Sequence, residues 1–281
     1  MIPEIRHLPM NEELRGQAEV IRHIVYSENG QDLTLIAPWK GRDLPLIIFI
    51  QGSSWNTPNK DFEIPMLSHF AEEGIAVASV GHRSAADGHP MPAFLQDVKC
   101  AVRYMRANSE RYSIAPDRIA AFGTSSGGNA ACLLGLTGDD PRFRTDEYPN
   151  ESDAVCGVVS CFGPTDLPAL FRWHSQFGDM RKAYAAYFGP IPEKWSDVMR
   201  LCSPVEHVKP GLSYPPFLLL NGTGDAVVPH DQMEALYTRL QEAGADVRAY
   251  YVDRAEHEGN FWGPQVRQLI HETLRSWLAA T

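Results

Sequence analysis

The sequence has no Cys-x-x-Cys pair, no basic run, no low-complexity tract and no apolar run near the length of a membrane span. Each gap removes a class of function. The five cysteines, Cys100, Cys132, Cys156, Cys161 and Cys202, lack metal-binding spacing and mostly lie inside apolar stretches, so buried free thiols are expected. A formal charge of −10 without clustered Lys and Arg argues against a nucleic-acid partner. The longest apolar runs, LIIFI and FLLL, fall far short of the ~20 residues that cross a bilayer. The opening MIPEIRHLPMNEELRG has no apolar signal segment, so the chain reads as soluble and cytoplasmic, and the glycosylation-like triplets at Asn150 and Asn221 carry no weight.

What is present is an ordinary globular composition, 44% hydrophobic over 281 residues, compatible with a single domain. PLIIFI and IAVASV are short continuous apolar runs, as strands buried on both faces require. Between them, DFEIPMLSHFAEEG spaces Ile64, Leu67 and Phe70 at helical intervals and stops on Gly74. The alternation repeats. PAFLQDVKCAVRYMRANSERYS reads as a helix, RIAAFG, AVCGVVSCF, PPFLLLNG and VRAYYVD as strands, and HDQMEALYTRLQEAG and residues 264–280 as helices. A mostly parallel α/β sheet covered by helices on both faces follows. Residues 1–43 read as an irregular or helical lead-in plus an antiparallel strand pair at the sheet edge. Residues 167–212, rich in aromatics and without a strand pattern, read as an inserted cap.

Gly123-Thr124-Ser125-Ser126-Gly127 lies between a predicted strand and a predicted helix. That context turns a common five-residue pattern into the expectation of a nucleophile elbow, a sharp turn that projects Ser125 above the sheet. A serine hydroxyl needs a base, and the base needs a carboxylate to hold it. Asp225 follows the strand FLLLNG and His257 follows the strand VRAYYVD, each in a strand-ending loop and in the chain order that an elbow requires. Asp166, in CFGPTD, is the alternative acid. Of the other histidines, His230 opens the helix after Asp225 and His271 falls inside the last helix.

Developing negative charge also needs donors, and Gln51-Gly52-Ser53-Ser54-Trp55 ends an early strand where its N–H groups can turn toward Ser125. This segment resembles the His-Gly-Gly-Gly-Trp oxyanion motif of the α/β-hydrolase superfamily, in its branch of small bacterial esterases that includes the BD-FAE and hormone-sensitive-lipase-like proteins. HRSAADGHPMPAFLQDVKCAVRYMR, GTSSGGNAA, GDAVVP and AEHEG resemble further segments of that branch. The resemblance implies an α/β-hydrolase fold and a serine esterase with Ser125, Asp225 and His257 as its triad and with no metal or cofactor. It implies oxyanion donors among the N–H groups of Gly52, Ser53 and Ser126, with the choice of loop donors left open. Gln51 replaces the motif's His and is expected to brace the loop by donating a hydrogen bond. Ser53 and Ser54 replace glycines and restrict the backbone.

Trp55, Trp173, Phe177, Phe261 and Trp262 are expected to wall a compact pocket that favours short or flat acyl groups. Resemblance adds acetyl and hydroxycinnamoyl esters of plant sugars as substrates. Two other classes stay open: an amide- or peptide-cleaving relative of kynurenine-formamidase or prolyl-peptidase type, and a non-catalytic binder on the same fold. A homodimer is also left open.

Overall fold

Apolar runs with no polar face can only be buried between two layers, and the chain buries them side by side. In the computed structural model, residues 6–12 and 16–279 are described. The strands are β1 (Ala18–Val25), β2 (Asp32–Pro38), β3 (Leu44–Ile50), β4 (Ala76–Val80), β5 (Ile114–Thr124), β6 (Val158–Cys161), β7 (Phe217–Gly222) and β8 (Val247–Val252). They form one sheet in the order β1-β2-β4-β3-β5-β6-β7-β8. The pairs β1/β2 and β2/β4 are antiparallel and all others parallel. The helices are α1 (Ile64–Glu72), α2 (Ala93–Ala107), α3 (Ser109–Tyr112), α4 (Ser126–Leu136), α5 (Leu167–His174), α6 (Arg181–Phe188), α7 (Trp195–Leu201), α8 (Asp231–Glu242) and α9 (Pro264–Leu278).

Side chains alternate between the two sheet faces with the period of two that a strand imposes. Ile47, Phe49, Phe122, Leu218 and Leu220 pack under α1 and α9, against Leu67, Phe70, Ile270 and Leu274. Leu46, Ile48, Ile50, Ala121 and Leu219 share the opposite core with Phe94, Val98 and Val102 of α2, Leu133 of α4 and Leu236 of α8. The parallel register brings the carboxyl ends of β3, β5, β6, β7 and β8 to one edge, where the candidate residues lie.

Several boundaries differ from the sequence reading. The helix expected across residues 92–113 breaks at Asn108, whose side-chain amide donates to the Tyr104 carbonyl and competes with the next turn. The strand around residues 154–162 shortens to β6. Parts of the expected lead-in (residues 1–5 and 13–15) and the end of the expected last helix at Ala280 lie outside the described residues. Residues 167–212 hold α5, α6 and α7, with no strand among them. Cys100, Cys132, Cys161 and Cys202 are buried, Cys156 is half-buried, and all five are free thiols. Among the described residues no helix is long and apolar enough to cross a membrane.

Helix α2 also buries charge. Asp153 accepts from Lys99 Nζ at 2.6 Å and Arg103 Nη1 at 3.0 Å, with all three side chains at 0% exposure. Burial pushes the Lys99 ammonium below its ordinary range, and the Asp153 charge opposes the shift.

The tightest backbone contacts surround the turn between β5 and α4. A Cβ on Gly127 would lie 1.9 Å from the Ile50 carbonyl oxygen, and one on Gly123 would lie 2.0 Å from the Gly127 oxygen. Gly127→Ala must therefore displace β3 from α4 and is expected to cost at least ~3 kcal/mol. Gly74→Ala, at φ 94° with nothing within 4 Å of a new Cβ, is expected to cost only ~1 kcal/mol. Thermal melts of the two variants measure the contrast, and equal shifts would refute the close approach.

Candidate active site

Ser125 joins β5 to α4 at φ 52° and ψ −124°, a conformation that a non-glycine residue adopts at a cost of ~1–3 kcal/mol. Two backbone hydrogen bonds hold it there. Its N–H donates to the Cys161 carbonyl at 3.0 Å, and its own carbonyl accepts from Asn129 N–H at 3.1 Å. Asp225 follows β7, and its Oδ1 accepts from the N–H groups of Val227 at 2.8 Å and Val228 at 2.9 Å. His257 follows β8. The two loops meet through backbone, since Gly224 N–H donates to the Ala255 carbonyl at 3.0 Å.

These three elements bring Ser125, His257 and Asp225 into one hydrogen-bonded chain. Asp225 Oδ2 lies 2.7 Å from His257 Nδ1, and His257 Nε2 lies 2.9 Å from Ser125 Oγ. A carboxylate only accepts, so Nδ1 carries the proton and Nε2 accepts from the Ser125 hydroxyl. The Asp225 side chain is fully buried, with 15% of His257 exposed. Phe162, at the end of β6, sets its ring edge-to-face on the imidazole at 4.7 Å. The arrangement can take the serine proton as a bond forms at Oγ and hold the resulting imidazolium. Cys161, next to the elbow, is no rival nucleophile because burial pushes its thiol well above the ordinary range. At Glu63, burial and then the charge of Glu258, the residue after His257, raise the carboxyl above its usual range, opposed by Arg267.

Asp166, the alternative acid, does different work: it caps α5, with its Oδ1 accepting from Ala169 N–H at 2.9 Å. The oxyanion loop also departs from expectation. Gly52 lies directly against Ser125, where a Cβ would be 2.7 Å from Ser125 Cβ. Its N–H is engaged by Thr124 Oγ1 at 2.9 Å, and the Ser53 N–H is engaged by Ser126 Oγ at 2.9 Å. Among the described residues no acceptor meets the Ser126 N–H, which opens the first turn of α4. Ser54 and Trp55 sit at φ 51° and 56°, the left-handed region that favours glycine. Gln51 does not brace the loop: among the described residues its amide nitrogen donates to no acceptor, and its Oε1 is buried without a partner. Trp55 Nε1 donates instead to Asn129 Oδ1 at 3.2 Å, and Ser53 Oγ to the Asn56 carbonyl at 2.6 Å.

The expected pocket walls separate. Trp55 is 5% exposed and packs on residues 167–212, with Tyr187 at 5.5 Å and Phe171 at 6.2 Å between ring centres. Phe261 is fully buried and packs behind Phe162, so it has no surface for a ligand. Trp262 donates to Glu258 and lines a cavity of about 330 Å³ between α1 and α9. Phe177 is 71% exposed, its one ring contact among the described residues being Trp173. Trp55, Phe261 and Trp262 were expected from their nearness to site motifs in sequence, and nearness along a loop does not fix which way a side chain points; Trp173 and Phe177 were expected from the aromatic segment 167–212.

Asn129 went unnoticed in the sequence. It is fully buried, its amide donating to the carbonyls of Pro164 at 2.9 Å and Cys202 at 3.0 Å while its oxygen accepts from Trp55. One polar residue in the small, apolar start of a helix was the available signal.

An elbow serine, a strand-end acid and a strand-end histidine at the carboxyl edge of a mostly parallel eight-stranded sheet define the α/β-hydrolase fold. The BD-FAE family model matches residues 32–240, and the chain belongs to that family. Esterase LipC of Mycobacterium tuberculosis is 28% identical over 78% of this chain and 55% of its own length. The chain spans about half the length of the curated relatives it matches. A truncated carbohydrate esterase from gut microbiota superposes with a TM-score of 0.80 at 26% identity, covering 95% of this chain and 98% of the other. A thermophilic esterase of Thermogutta terrifontis shares the fold, with a TM-score of 0.74 at 20% identity over 98% and 100%.

Asn129→Ala leaves the Trp55 N–H and two carbonyls without partners and is expected to lower stability by about 3–5 kcal/mol, on the order of 10 °C in Tm. Asp166→Asn keeps a capping oxygen and is expected to shift Tm by no more than a degree or two. Differential scanning calorimetry of both compares them, and a neutral Asn129 variant would contradict the bridging role.

Proposed function

We propose that this chain is a serine carboxylic ester hydrolase that works through an acyl-enzyme on Ser125. The observation that carries the reading is the chain from Asp225 through His257 to Ser125 Oγ, set on an elbow that presents the hydroxyl at the sheet edge. Ser125 Oγ attacks the ester carbonyl carbon as its proton passes to His257 Nε2, and the carbonyl π pair moves to oxygen. When that pair returns, the bond to the alcohol oxygen breaks and His257 delivers the proton to it. Water then repeats the sequence on the acyl-enzyme and releases the acid. Asp225 holds the imidazole in the tautomer that both halves require.

The substrate reading is small acyl esters, acetyl and hydroxycinnamoyl esters of sugars among them. Residues 167–212 act as a cap whose aromatic cluster, Phe171, Tyr184, Tyr187 and Phe188, closes on Trp55 and supports a short acyl site. Likeness to a carbohydrate esterase over nearly the whole chain supports a sugar as the alcohol part.

Ser125→Ala is expected to lower kcat by a factor on the order of 10⁶ with Tm retained, and Asp225→Asn by about 10⁴ through the wrong His257 tautomer. Asp166→Asn should leave kcat within a few-fold. A comparable loss at Asp166 would move the acid to the β6 loop. Across p-nitrophenyl esters from acetate to palmitate, with methyl ferulate and acetylated xylo-oligosaccharides alongside, kcat/KM is expected to peak at about two to four acyl carbons. A maximum at about twelve or more would make this a lipase, and faster turnover of the matched amide would make it an amidase.

A further inference from the structure

Ser126 is 2% exposed and its Oγ accepts the Ser53 N–H at 2.9 Å. With that lone pair engaged, the hydroxyl still has a proton to give, and no acceptor for it occurs among the described residues. A buried donor without a partner is rare in a folded protein. The backbone N–H of the same residue is likewise open, one position from the serine whose Oγ meets His257. Thr124 Oγ1 takes the Gly52 N–H in a similar way, but Thr124 ends β5 beneath the elbow, while Ser126 begins the helix above it. The loop N–H groups of Gly52 and Ser53 are thus both engaged by hydroxyls that flank Ser125, while no acceptor meets the Ser54 N–H among the described residues.

We propose that the Ser126 side chain is itself a catalytic residue: its Oγ–H, oriented by the Ser53 N–H, donates to the oxyanion alongside the Ser126 N–H. This rests on the serine-esterase reading above. As Ser125 Oγ bonds to the carbonyl carbon, the π pair moves onto the carbonyl oxygen, which accepts both Ser126 hydrogens as hydrogen bonds. Ser126 keeps its proton throughout; only His257 moves one. The Ser53 N–H polarises the hydroxyl and so acts on the oxyanion through it. A fixed donor at the point where charge develops stabilises the transition state more than the bound ester.

The test compares wild type with Ser126→Ala on p-nitrophenyl butyrate, together with the affinity of an alkyl trifluoromethyl ketone, whose adduct with serine carries the same oxyanion. Loss of the hydroxyl is expected to lower kcat by a factor on the order of 10² with KM within about threefold, and to weaken the ketone in proportion. Tm should stay close to the wild-type value. An equal or faster Ser126→Ala enzyme would overturn the proposal, because the hydroxyl would then only compete for the Ser53 N–H. A fall in kcat that tracks a fall in Tm, with ketone affinity unchanged, would also overturn it and make Ser126 structural. If wild type itself gives no burst of p-nitrophenol, the esterase reading fails first and takes this proposal with it.

Discussion

The carboxyl edge of the sheet is organised by one steric constraint: β3, β5 and α4 approach so closely at Ser125 that three neighbouring positions admit no side chain. Gly52, Gly123 and Gly127 each face backbone or Ser125 at distances where a Cβ cannot fit. That closeness holds Ser125 at φ 52° and turns its hydroxyl away from the core. The strain is of the order of 1–3 kcal/mol and is offset by the hydrogen bonds from Ser125 to Cys161 and from Asn129 to Ser125. An ordinary turn would relax, and the hydroxyl would lose its line to His257.

The other parts of the site inherit their positions from the same packing. Because β7 and β8 are parallel neighbours, their terminal loops lie side by side, and the backbone contact from Gly224 to Ala255 sets Asp225 and His257 in register. Phe162 then limits the imidazole from its flank. On the far side, Asn129 ties the elbow helix to the start of α5, to the end of α7 and to Trp55 of the oxyanion loop. The loop pays for two serines in place of glycines with left-handed backbone at Ser54 and Trp55. Packing at the sheet edge is thereby transmitted to the proposed chemistry through a few hydrogen bonds rather than through a large contact surface.

How much of this was legible in the sequence depends on the kind of signal. Period-two burial and strand-end loops are local patterns, so the sheet, the elbow and the positions of Ser125, Asp225 and His257 could be read from residue order. The separation of Asp166 from Asp225 needed three dimensions, because both follow buried strands and only one lies beside a histidine. Side-chain direction was not legible: Phe261 and Trp262 follow His257 by a few residues, yet Phe261 turns into the core under α1 and α9 and Trp262 packs on that same core and lines the cavity between those helices. Hydrogen-bond partners were not legible either. Gln51 had the chemistry to brace the loop, but Trp55 and Asn129 do it, since a donor's reach depends on backbone turns that composition does not encode.

The central claim is that the strained turn makes Ser125, and no other hydroxyl at this edge, the nucleophile. It is tested most directly by titrating the protein with diethyl p-nitrophenyl phosphate and mapping the adduct by mass spectrometry. The account predicts release of one p-nitrophenol per chain, with a single diethylphosphoryl group on Ser125. A label on Thr124 or Ser126, or no stoichiometric release, would contradict it.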